Sequence, residues 1–205
     1  FCSLFSGSSG NAIFVGAGKT KILIDAGVSG KRVIEALLSI GENPWELSAV
    51  LVTHEHRDHI KGVGIVSRKF NIPVFANERT WEAMENLIGP VNIKNRVCFN
   101  TLEEFEIGDI CIKAFPIPHD AAEPVGFNLF VGTKKVTIAT DIGHINNSLL
   151  KCFDMSDFML LESNHDVEML MIGRYPWPLK KRISSDVGHL SNEMAAKVVA
   201  YMAQK

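Results

Sequence analysis

The stretch Ala49-Val-Leu-Val-Thr-His-Glu-His-Arg-Asp-His-Ile60 constrains the fold of this chain more than any other. Residues 49–53 are mostly apolar and β-branched, which is the composition of a buried strand. His54, His56, Asp58 and His59 follow at once, holding three of the chain's seven histidines. Beyond them, Ile60, Val63, Ile65, Val66 and Phe70 are spaced roughly along one side of a helix. The cluster therefore belongs on a strand-to-helix turn, and ligands of open α/β folds bind at the carboxyl ends of strands. Buried imidazoles and carboxylates are costly without partners. A divalent metal supplies such a partner, whereas a merely solvated turn has no need of so many histidines.

The 205 residues suffice for one domain with a substantial core, and 46% hydrophobic with 21% charged is an ordinary globular balance. No apolar run reaches the length needed to cross a bilayer, so no membrane association is expected. No cationic segment followed by an apolar stretch marks a secretory signal, although the first residue, Phe1, suggests a trimmed N-terminus. Cys2, Cys98, Cys111 and Cys152 are scattered, with no CxxC. That pattern fits reduced thiols in a cytoplasmic protein better than a disulfide scaffold or zinc knuckle. A net charge of -2 neither implies nor excludes a nucleic-acid partner.

Strands are expected over residues 1–5, 12–15 and 21–25, and a helix over 31–39. A short strand at 73–76 and a helix over 77–87, with Asn77 as N-cap, follow the first metal-type turn. Strands return at 96–99, 104–107, 110–115, 126–131, 135–139 and 158–162, and the chain closes on a helix over 191–203 capped by Ser191. Two strand-rich halves, each carrying helices, suggest two sheets with helices outside them.

Other strand ends carry ligand-type residues: Asp25 in Leu23-Ile-Asp-Ala-Gly27, His119 in Phe115-Pro-Ile-Pro-His119-Asp120, and Asp141 in Ile138-Ala-Thr-Asp141-Ile-Gly-His144. Each alone is as readily a turn residue. Their order, Asp, HxHxDH, His, Asp, resembles that of the metallo-β-lactamase-fold hydrolases over essentially the whole chain. The segments Phe5-Ser-Gly-Ser-Ser-Gly-Asn11, Leu161-Glu-Ser-Asn-His-Asp166, Arg174-Tyr-Pro-Trp177 and Gly188-His-Leu-Ser-Asn192 further resemble the YycJ/WalJ branch, bacterial proteins regarded as DNA exonucleases.

The resemblance implies one domain over residues 1–205, an αββα four-layer sandwich of the metallo-β-lactamase type. It also implies two divalent ions, zinc, manganese or iron. His54, His56 and His119 would hold the first ion, Asp58 and His59 the second, and Asp141 would bridge them. Two such ions clamp the attacking and leaving oxygens of a displacement. Asp58 also serves as the catalytic group that orients the nucleophile. Asp25 and His144 are expected behind the ligands, positioning them. The family takes a last histidine from a late strand end, and in YycJ-like chains it lies beyond the GHLSN segment. This sequence stops at Lys205, so a C-terminal strand and helix are expected to be missing and the second metal site incomplete. His189 is then read as a catalytic acid/base or substrate-contacting group.

The stretch after Asp141 is too short for the large inserted cap of RNA-processing relatives. Arg174, Lys180, Lys181 and Arg182 lie among Tyr175 and Trp177, a mix that suits phosphates and exposed bases. Together with Ser8, Ser9 and His165 they are the expected substrate contacts. DNA is the expected partner, and 5'-to-3' exonucleolytic hydrolysis the expected reaction. The alternatives are a small-molecule hydrolase, such as a glyoxalase-like thioesterase or a lactonase, and a non-catalytic metal-binding module.

Overall fold

The computed structural model describes residues 1–204. The chain falls into two compact units. One comprises Phe1–Ile112 with Ala121–Glu123, and the other Lys113–Asp120 with the chain from Pro124 onward.

The first unit is built on a six-stranded sheet, β1 (Cys2–Phe5), β2 (Ala12–Ala17), β3 (Thr20–Ile24), β4 (Ala49–Leu51), β5 (Val74–Ala76) and β6 (Arg96–Cys98), standing in that order. β1 to β3 form an antiparallel meander, while β3 to β6 run parallel. Parallel neighbours need crossover connections. α1 (Gly30–Ser39) supplies the first, α2 (Arg57–Ile60) with α3 (Val63–Phe70) the second, and α4 (Glu78–Ile88) the third. Ala49, Val50 and Leu51 are fully buried, as expected of a central strand covered on both faces. Val33 and Leu37 of α1, Val63 and Val66 of α3, and Trp81 and Met84 of α4 close over it. Asn77 caps α4 by accepting the Thr80 amide at 2.9 Å.

The helix expected over 60–70 is divided in two. At the break, the Gly62 amide donates to the Ala26 carbonyl at 2.7 Å, and a Cβ on Gly62 would stand 2.4 Å from the Val28 carbonyl oxygen. The chain is drawn against the β3–α1 loop there, which ends the first helical turn.

The second sheet has the order β11 (Phe158–Leu161), β10 (Lys134–Ala139), β9 (Val125–Val131), β8 (Ile110–Pro116), β7 (Glu104–Ile107), and the division between units falls within β8. Within the second unit β9 and β10 form a hairpin through Gly132-Thr133, with Gly132 at φ 56°. α5 (Asn147–Phe153) links β10 to the parallel β11. Phe115, Ile117, Ile142, Leu149, Phe153, Leu190 and Val198 form this unit's core, the last from α8 (Asn192–Met202).

α5, α6 (Val167–Ile172) and α7 (Trp177–Ile183) are helices that the sequence pattern left as connecting chain. The correction at α7 has a physical reason. Tyr-Pro-Trp-Pro reads as a turn, but proline is tolerated in the first helical turn, where its missing N–H is an orphan anyway. Pro176 stands at the N-cap and Pro178 in that first turn.

Candidate metal centre

Parallel register places the ends of β3 and β4 side by side, Ile24 opposite Leu51. Asp25 leaves β3 in the left-handed region, φ 59°, a conformation that aspartate tolerates better than most residues. Its carboxylate, essentially buried, accepts three hydrogen bonds. Oδ1 takes the Thr53 amide at 2.9 Å, and Oδ2 takes the Thr53 hydroxyl at 2.8 Å and His59 Nδ1 at 2.7 Å.

These bonds fix the ring tautomers. His59 donates from Nδ1 and therefore carries its lone pair on Nε2. The Thr53 hydroxyl proton is committed to Asp25, so at 2.9 Å its oxygen accepts from His54 Nδ1. The lone pair of His54 is thus also on Nε2, and that atom lies 3.0 Å from His56 Nδ1. Buried imidazoles whose lone pairs are fixed in this way, with a carboxylate behind them, match the arrangement by which proteins orient histidine ligands. The residues of this turn therefore suit a divalent cation.

Asn11 tightens the turn. Its Oδ1 accepts the Gly7 amide at 3.0 Å, which sends its Nδ2 towards Asp58 Oδ2 at 3.4 Å and His59 Nε2 at 3.0 Å. The Asp58 carbonyl accepts the Asn11 amide at 2.7 Å. Gly27 is required here, since a Cβ on it would stand 1.5 Å from that same Asp58 carbonyl oxygen.

In the second unit Asp141 ends β10 at φ 55°, again left-handed. His119 is buried, and its Nδ1 donates to the Gly188 carbonyl at 3.0 Å, which leaves the lone pair on Nε2. Burial lowers its pKa against the opposing pull of Asp141 and Gly188, which favours the neutral form that a metal requires. Glu162, just beyond β11, accepts the amides of Ile142 at 2.8 Å and Leu190 at 3.0 Å on Oε2, and His189 Nδ1 at 2.7 Å on Oε1. One ligand atom from each of Asp141, Glu162 and His189 lies within 4.8 Å of the others. Burial works to lower the His189 pKa, but the Glu162 hydrogen bond and the charges of Glu162 and Asp141 outweigh it, and the net shift is upward.

The remaining expected residues are more dispersed. His144 is exposed and donates from Nδ1 to the Asp186 carbonyl at 2.8 Å. His165 lies in a cavity of about 480 Å³ with Arg174 and Tyr175. Lys180 is corrected from a DNA contact to an internal one. Its side chain is buried and its Nζ donates to the Met171 carbonyl at 2.6 Å, closing α7 onto α6. Arg182 is held by Asp120, Nε to Oδ2 at 2.6 Å and Nη2 to Oδ1 at 3.1 Å, whereas Lys181 is exposed. Asn11, Thr53 and Glu162 are site residues that sequence reasoning did not assign. Asn11 and Glu162 lay within the branch-type segments, and Thr53 carried no signal of its own.

Residues 20–205 match the family model described as a beta-lactamase superfamily domain. The exodeoxyribonuclease YycJ of Bacillus anthracis is 46% identical over 201 residues, 98% of this chain and 76% of that protein. The chain belongs to the metallo-β-lactamase superfamily, in its YycJ/WalJ branch. The exodeoxyribonuclease WalJ of Streptococcus pneumoniae is 42% identical over 96% of this chain and 74% of its own length. The solved metallo-β-lactamase-fold protein YhfI from Bacillus subtilis superposes with a TM-score of 0.71 at 14% identity, over 95% of this chain and 75% of that one. The two-sheet α/β architecture is therefore the metallo-β-lactamase fold.

Two measurements follow from this geometry. Asp25→Ala is expected to weaken zinc binding about 10–100-fold in competition with a chromogenic chelator. Unchanged affinity, with the unfolding midpoint recorded alongside, would show that the ligands do not depend on Asp25. In the metal-free protein His189 is expected to titrate above the ordinary histidine value of about 6.5 by NMR, and Glu162→Gln to bring it down. Because the folded value is raised, this group's stabilisation is complete below the ordinary value and is lost as pH rises through the folded one. A His189 ring that titrates below the ordinary value would contradict the Glu162 contact.

Proposed function

We propose that this chain is a metal-dependent phosphodiesterase acting on DNA, working from strand ends in the 5'-to-3' direction, with residues 1–205 serving as one domain. The observation that carries the reading is 46% identity to an exodeoxyribonuclease across 98% of the chain. The fixed lone pairs of His54, His59 and His119 support it.

By the order of the family's motifs, His54, His56 and His119 would hold one divalent ion, Asp58 and His59 a second, and Asp141 both. Zinc, manganese and iron all suit such nitrogen and oxygen donors. When bound, the ions acidify a water molecule and neutralise charge on the phosphate. Asp58 orients the attacking water through its carboxylate. His189, held at Nδ1 by Glu162, keeps the proton on Nε2 within its raised titration range and gives it to the leaving oxygen.

Arg174 and Lys181 are exposed cations of the 174–182 segment, and Tyr175 and Trp177 are 57% and 63% exposed. Exposed cations track a phosphate backbone, and exposed aromatic faces stack on bases. His165, in the cavity that Arg174 and Tyr175 also line, belongs to the same contact region. No helix among the described residues is long and apolar enough to cross a membrane. A cytoplasmic setting agrees with four free cysteines.

An end-labelled duplex incubated with the protein and Mn²⁺ or Zn²⁺ tests the reading. Progressive digestion is expected, and Asp58→Ala should slow it by about 10²–10⁴-fold. Thioester hydrolysis without DNA digestion would replace the nuclease by the small-molecule hydrolase.

A further inference from the structure

One cavity of the first unit contains cations that the chemistry above does not use. It measures about 450 Å³ and is lined by Ser8, Ser9, Arg57, Asp58, Lys61 and Leu87, among others. That volume is within the range of small-ligand sites, about 300–1,000 Å³. Arg57 and Lys61 stand four residues apart on one turn, both exposed, with the Lys61 amide donating to the Arg57 carbonyl at 3.2 Å. Neither side chain has an acidic partner among the described residues. Like charges at this spacing repel, and a bound anion would reverse that repulsion.

Opposite them is the tip of the Ser6–Asn11 loop. Asn11 Oδ1 holds the Gly7 amide at 3.0 Å, the Gly7 carbonyl holds the Gly10 amide at 2.9 Å, and the Asp58 carbonyl holds the Asn11 amide at 2.7 Å. The base of the loop is thereby fixed to the metal-type turn. Ser8 and Ser9 at its tip are exposed, and their hydroxyls and amides have no hydrogen-bond partner among the described residues. Two cations, two hydroxyls and two amides around one space form a donor-rich surface, with Asp58 the one carboxylate on its lining, and such a surface selects a compact oxyanion.

We infer that this cavity is a phosphate subsite that takes the dianionic monoester at the end of a DNA strand, resting on the nuclease reading for the identity of the strand. With the Asp58 carboxylate engaged by the ion it would hold, Arg57 and Lys61 balance a dianion, whereas an internal diester carries a single charge. Asp58 shares the lining, so a strand end anchored by Arg57 and Lys61 presents a nearby phosphodiester to the residue that orients the water. The subsite accounts for digestion that counts from an end.

The test uses the Mn²⁺-loaded protein with strands bearing a 5'-phosphate, a 3'-phosphate or hydroxyls at both ends. The 5'-phosphorylated strand is expected to be preferred about tenfold, the equivalent of one charge-assisted contact. Lys61→Ala is expected to raise KM for that strand about tenfold, to leave kcat within about threefold and to abolish the preference. Equal use of all three strands, or a preference that survives Lys61→Ala, overturns the subsite. A second measurement separates it from the nuclease reading: inorganic phosphate is titrated into the protein while backbone amides are followed by NMR. Shifts at Ser8, Ser9 and Lys61 that vanish in Lys61→Ala support the subsite even if no DNA is digested, an outcome that would sink only the nuclease reading. Phosphate that leaves these three amides unmoved overturns it.

Discussion

The Asp25 carboxylate is the contact on which the first unit's candidate metal ligands depend. It is buried, it sits in the left-handed region at φ 59°, and it accepts from the Thr53 amide, the Thr53 hydroxyl and His59 Nδ1. Through Thr53 it also sets the tautomer of His54. One acid thus determines which nitrogen two different rings present. Such an acid is stable only because the adjoining parallel strands β3 and β4 end in register and bring its donors to it. The burial of both strands, which makes the site rigid, therefore comes before its chemistry.

The second unit repeats the device with a different residue. Glu162 accepts two backbone amides, from Ile142 and Leu190, and its remaining oxygen holds His189. The Ile142 amide follows Asp141 directly, so the same carboxylate steadies the turn on which Asp141 sits at φ 55°. Gly188 contributes on the other side, its carbonyl fixing His119 while its missing Cβ admits the carbonyls of Arg182 and Ile183, which would lie 2.2 Å away. Both rings donate from Nδ1, His189 to the charged Glu162 carboxylate and His119 to the neutral Gly188 carbonyl, and the pKa is shifted up at His189 and down at His119.

Strand ends were legible because β-branched runs and the residues that close them are local signals. Asp25, His54, His119 and Asp141 could be placed at the ends of β3, β4, β8 and β10 from spacing alone. The supporting contacts were not legible, because they join residues distant in sequence. Asn11 reaches His59, and Glu162 reaches His189. Lys180 looked like one more surface cation, and only the packing of α7 reveals that its ammonium turns inward to Met171. The helix at Trp177–Ile183 was hidden by its two prolines, which resemble a loop until both are found within its cap and first turn.

The central proposal is that His54, His56, His59 and His119, with the carboxylates of Asp58 and Asp141, bind the metal, and that the four free cysteines do not. X-ray absorption at the zinc edge of the loaded protein tests this most directly. A first shell of nitrogen and oxygen at about 2.0–2.1 Å with imidazole multiple scattering is the predicted result. A sulfur shell at about 2.3 Å, or a spectrum without imidazole scattering, would contradict it.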